Sequence, residues 1–98
     1  MTIEKTMNGT TLEIALTGRL DTMTSPELEA ELKASMDGAE SLVMNFEKLE
    51  YISSAGLRVL LSAQKEMNKK GEMRIANASE AVQEIFEVTG FADILTVV

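Results

Sequence analysis

Leu42-Val43-Met44-Asn45-Phe46 and, four residues on, Tyr51-Ile52-Ser53-Ser54-Ala55-Gly56-Leu57 decide the reading of this 98-residue chain. The first run lacks polar alternation and reads as a central strand covered on both faces. The second carries the chain into a helix. From Ser54 to about Lys70, Leu57, Leu60, Leu61 and Met67 recur at helical spacing, and Gly71 ends the pattern. A strand feeding a helix of this length implies a right-handed crossover to a parallel neighbour.

Downstream, Met73-Arg74-Ile75-Ala76-Asn77 is a short strand. Ser79 caps a third helix with Val82, Ile85, Phe86 and Thr89 on one face and Gly90 as its stop. The apolar tail from Phe91 to Val98 reads as a last helical turn and a short strand. Upstream, Asn8-Gly9 signals a two-residue hairpin between Thr2–Met7 and a strand in which Leu12, Ile14 and Leu16 alternate with Glu13 and Ala15. A first helix follows from about Ser25, with Thr24 and Glu27 as a capping box, Pro26 in the first turn, Leu28, Leu32 and Met36 inward, and Gly38 at its close. The expected fold is α/β over residues 1–98. It has a mixed, mostly parallel sheet, an N-terminal β-hairpin and three to four α-helices. Segments leaving strands toward helices gather at one sheet edge, where such domains bind ligands. Asp21–Ser25, Glu50–Ser54 and Asn77–Ser79 are thus expected to form one polar rim.

Composition excludes several function classes. There is no cysteine and no histidine, which removes thiolate chemistry, the commonest general base and the usual zinc ligands. A net charge of −7, with no basic stripe and no tryptophan, argues against nucleic acid and anionic membrane as partners. No apolar run approaches the ~20 residues of a membrane span, and the first residues do not read as a signal peptide. The expected setting is cytoplasmic. An enzyme using Ser53 or Ser54 as nucleophile would need a base. Lys65 and Lys69 lie two or more turns along the helix, which leaves Lys48 as the other candidate. No Gly-x-x-x-x-Gly-Lys phosphate loop is present, so no cofactor is expected.

Three patches resemble the STAS domain family, and among its members the stand-alone bacterial anti-sigma factor antagonists. They are Gly18-Arg19-Leu20-Asp21, Tyr51-Ile52-Ser53-Ser54-Ala55-Gly56-Leu57, and Phe86-Glu87-Val88-Thr89-Gly90-Phe91 with Ile94-Leu95. The middle patch, similar to the family's phosphorylation segment, is the most specific. The resemblance places the phosphate acceptor at Ser54, two residues before Gly56. It implies an anti-sigma factor with serine kinase activity as the partner, a serine phosphatase that resets the cycle, and no catalysis by this chain. Ser53 stands where the family often has aspartate, and Ala55 where it often has serine or threonine. STAS-like domains also serve as regulatory parts of transporters, lipid-transfer complexes or sensory assemblies, which is the competing expectation.

With Ser54 as acceptor from the resemblance, the rim and its surroundings give a candidate partner-binding set of Asp21, Met23, Ser53, Ser54, Gly56 and Arg58. Each has a plainer reading. Ser54 or Ser53 serves as a helix N-cap. Gly56 allows close helix–strand packing, or else the approach of a kinase. Asp21 caps a turn or lines the rim. Met23 and Ile52 are tucked under their loops or stand out as contacts, and Arg58 is a solvated arginine or pairs with acidic groups on the partner.

Overall fold

In the computed structural model, which describes residues 1–98, four strands form one sheet in the order β1-β2-β3-β4. They are β1 (Thr2–Asn8), β2 (Thr11–Leu20), β3 (Ser41–Ile52) and β4 (Glu72–Ala76). β1 and β2 run antiparallel, while β2, β3 and β4 run parallel. Helix α1 (Ser25–Ser35) links β2 to β3, and α2 (Ser54–Asn68) links β3 to β4. α3 (Glu80–Thr89) follows β4, and a short 3₁₀ turn spans Phe91–Asp93. The tail then makes one parallel bridge, Ile75 with Val97, at the free edge of β4.

Register explains where the core sits. Met7, Leu12, Leu42 and Met73 form one cross-strand row, and Lys5, Ile14, Met44 and Ile75 form the next. From β2 to β4 all of these apolar residues are buried. Lys5 ends its row at the edge strand, bridging Glu31 of α1 at 2.6 Å. The alternate rows, such as Thr6-Glu13-Val43-Arg74, are half-buried or exposed. β3 is therefore central but sealed on one face only, against the expectation of two. Leu42–Phe46 lacks alternation in sequence because Val43 and Asn45 lie half-covered among neighbouring strands.

Other details also depart from expectation. The hairpin turns on Gly9-Thr10, with Asn8 still paired to Thr11, because Gly9 alone takes a positive φ (62°) at the first turn position. Leu61 is only half-buried, and Val59 is buried instead. α1 and α2 end at Ser35 and Asn68, so that Gly38 and Gly71 each stand two residues past the C-cap. The Ser79 cap and the left-handed Gly90 stop of α3 are as expected.

Gly71 does not end α2 through a left-handed conformation. A Cβ placed there would run into the backbone carbonyl of Glu40, which accepts from the Glu72 amide at 3.2 Å. The chain needs a bare backbone where two segments touch.

β2 and β3 both outrun β4. Ala76, the last residue of β4, lies opposite Asn45, and β3 continues to Ile52 beside Leu20. Register shifts between Ala15 and Thr17 and again between Gly18 and Arg19 mark bulges in β2, and Gly18 takes φ 104° there. The extension is a twisted two-stranded ribbon, and it carries the loops into α1 and α2.

Candidate functional site

Two of the three expected rim segments meet at the tip of this ribbon. Leu20 pairs with Ile52, and the Ser53 amide donates to the Leu20 carbonyl at 2.9 Å. Thr22 with Ser25 and Pro26 at the start of α1, and Ala55 and Arg58 in the first turns of α2, line a shared groove of about 250 Å3. The third segment does not join them. Asn77 donates through Nδ2 to Asn45 Oδ1 at 3.1 Å, and from there β3 runs seven further residues, roughly 20 Å, to the tip. Equal strand lengths were the hidden assumption behind a single rim.

The two serines divide their work. Ser53 is the N-cap of α2: its backbone is extended, and its side chain accepts from the Gly56 amide at 3.4 Å. Ser54 is the first helical residue, exposed, with its hydroxyl released from capping. The first-turn amides and the helix dipole make this end of α2 hospitable to negative charge. Arg58 is exposed one turn further on.

Gly56 lies beneath this surface. It is buried, and an added Cβ would sit 2.8 Å from Leu20 Cγ and 2.9 Å from Ile52 Cγ1. Its place in the fold is a close helix–ribbon contact, and it offers a partner little surface. Ile52 is sealed at 2% exposure, whereas Met23 stands out at 84%. Met23 is the most exposed of the large apolar side chains.

Asp21 turns the chain from β2 into α1. Its Oδ1 accepts from the Met23 amide at 3.0 Å and the Thr24 amide at 3.1 Å. The expected Thr24–Glu27 capping box is absent. Thr24 makes no cap bond; its hydroxyl accepts from the Asp21 amide at 2.9 Å and donates to the Arg19 carbonyl at 2.8 Å. Pro26 offers no amide to a capping hydroxyl, and the Glu27 amide donates to the Thr24 backbone carbonyl at 3.0 Å.

The Thr24 amide, with partial desolvation opposing it and the Met23 amide, Thr24 hydroxyl and Arg19 charge assisting, holds the Asp21 carboxyl below its ordinary pKa. A lowered folded pKa contributes stability that is complete above the unfolded value and is lost as pH falls through the folded one. Asp21→Asn keeps an acceptor oxygen but not the charge. It is therefore expected to flatten the acid-side decline in stability, read by urea unfolding from about pH 6 to pH 3. A decline as steep as wild type would assign the acid sensitivity to other groups.

One feature of the tip escaped the sequence reading. Arg19 stacks on the Tyr51 ring, 4.3 Å from its centroid, on a cross-strand pair. Only the register of β2 on β3 reveals it.

The STAS domain family model matches residues 2–98. The candidate anti-sigma factor antagonist BtrV of Bordetella bronchiseptica is 39% identical over 84 residues, covering 84% of this chain and 72% of that protein. The anti-sigma-B factor antagonist of Staphylococcus aureus is 32% identical over 99 residues, covering 99% of this chain and 92% of that protein. The anti-sigma factor antagonist SpoIIAA in its unphosphorylated form superposes with a TM-score of 0.79 at 21% identity, over 99% of this chain and 87% of that one. Its phosphorylated form, from Bacillus, gives 0.77 at 21% identity, over 99% of this chain and 91% of that one. At that identity the structural likeness is one of fold.

Proposed function

This chain belongs to the STAS domain family, and on that footing we propose that it is an anti-sigma factor antagonist switched by phosphorylation of Ser54. In the unmodified state it binds an anti-sigma factor that is also a serine kinase, which then releases its sigma factor. Phosphate on Ser54 ends the complex, and a serine phosphatase restores it. Asp21, Met23, Ser54 and Arg58 provide the contact surface, while Ser53 and Gly56 hold it in place from beneath. The relatives named as anti-sigma factor antagonists support this reading, as does the phosphorylated form solved for a protein of the same fold. No helix is long and apolar enough to cross a membrane.

The observation that carries the proposal is the division between the serines. The Ser53 hydroxyl is already engaged by the Gly56 amide, whereas the Ser54 hydroxyl is exposed and makes no capping bond. With Ser53 as cap, Ser54 can be esterified at little cost to the fold. A phosphate adds roughly −1.5 to −2 charges at neutral pH, enough to reverse the electrostatics of a docking surface.

Paired variants test this with the purified anti-sigma kinase, ATP and Mg²⁺. Ser53→Ala is expected to lose about 1 kcal/mol of stability and still gain one phosphate at Ser54. Ser54→Ala is expected to keep wild-type stability and gain none. Phosphate mapped by mass spectrometry to Ser53 alone would overturn the assignment.

A further inference from the structure

The ground around Ser54 is small. Asp21, Met23, Ser54 and Arg58 make a patch of a few side chains, whereas a stable interface takes about 800 Å2 and 20–30 residues from each partner. A protein that reads Ser54 must continue onto adjoining surface. The seam between α1 and α2 is continuous with it. Glu29 and Val59 line both the groove at the ribbon tip and a second cavity of about 260 Å3 further along the two helices.

That cavity has an apolar floor and a negative rim. Leu32, Met36, Val59 and Ala63 form the floor and keep 4%, 7%, 7% and 4% exposure, where most core side chains keep 0–2%. Met36 and Val59 are the least sealed side chains of the core. Glu29, Asp37 and Glu66 line its rim with Lys33, which is bridged to Glu29 at 3.7 Å, and the Lys70 ammonium donates to the Met36 carbonyl beside it. Asp37 and Glu66 are exposed and carry no ion pair in the chain. Along α2 the lining runs from Ala55 to Glu66, about 16 Å at ~1.5 Å per residue, or three helical turns.

We propose that this seam receives an amphipathic helix of the same partner, about three turns long. One apolar side chain of that helix would enter the cavity, and its lysines or arginines would face Asp37 and Glu66. An apolar anchor flanked by charges opposite to those of the groove is how helices are held in grooves elsewhere. The chain's net charge of −7 favours a basic partner face. The inference deepens the Ser54 reading and rests on it.

The test uses the full chain and the purified anti-sigma factor, by titration calorimetry and by amide shifts of the labelled protein. Asp37→Lys with Glu66→Lys is expected to weaken binding about tenfold or more and to reduce its salt dependence. Ser62→Trp, which fills the cavity from its open side, is expected to weaken binding without charge change. Bound-state shifts are expected at Lys33, Asp37 and Glu66 as well as at residues 21–25 and 53–58. Unchanged unfolding midpoints would show that the variants are folded. Should Ser54→Asp weaken binding while both seam variants stay within twofold of wild type, the seam proposal fails and the Ser54 reading stands. Failure of the wild-type protein to bind at all would sink both. Self-association lost in the seam variants would give the groove to a second copy and overturn the proposal.

Discussion

Ser54→Asp is expected to weaken binding of the anti-sigma factor about a hundredfold, close to 2.7 kcal/mol, while the unfolding midpoint stays level or rises slightly. The two halves have separate causes. At the first helical position of α2, a carboxylate meets unpaired amides and the positive end of the helix dipole, worth about 0.3–1 kcal/mol to the fold. At a docked surface, the same carboxylate must shed water without a matching cation. Titration calorimetry beside thermal unfolding reads both numbers from one preparation. Equal affinities for variant and wild type would remove charge from the switch. A collapse of the midpoint would mean that Ser54 holds the helix after all.

The larger effect on the fold itself is expected at Gly71. Gly71→Ala places a methyl group in the path of the Glu40 carbonyl, and backbone cannot swing aside as a side-chain tip can. Relief requires the start of β4 to separate from the segment entering β3, which strains the Glu72–Glu40 hydrogen bond. A loss of about 3 kcal/mol is expected, from a total of roughly 5–10 for a domain of this size. The midpoint should fall by roughly 12–24 °C. Gly38→Ala is the internal control, because a Cβ there meets nothing within 4 Å. Similar midpoints for the two variants would refute the close-approach argument.

Both glycines illustrate what could be read in advance. A glycine after a helical run signals an ending, and at Gly71 the ending is correct. The reason lies in Glu40, thirty-one positions earlier, which no local pattern reports. Element order, the parallel crossovers and the apolar stripes of all three helices followed from periodicity, because burial on one side leaves a period in the sequence. Strand length left no such trace. Glu47, Lys48 and Glu50 are exposed within β3, so its polar second half looks like a loop although it still pairs with β2. Because β3 outruns β4, Asn77–Ser79 leaves the sheet well short of the tip.

The site was legible to the same degree. Serine at a helix start was evident, but which of two adjacent hydroxyls caps depends on where the first helical turn closes. Backbone geometry decides that, with Ser53 extended and Ser54 helical. Asp21 and Thr24 both qualified as turn formers. Asp21 takes the Met23 and Thr24 amides, and because Pro26 has no N–H and the Glu27 amide goes to the Thr24 carbonyl, the Thr24 hydroxyl fastens the Arg19 carbonyl instead.

The overhanging ribbon has one more effect. Beyond Asn45, β3 has a strand neighbour on one flank only, so its tip is held by fewer ladder bonds than the four-stranded body. Packing of Gly56 onto Leu20 and Ile52 is the button that fastens it. Such a region opens at lower free energy than the rest of the molecule. The overhang can thus loosen and reseat as a local unit while the body of the sheet stays shut.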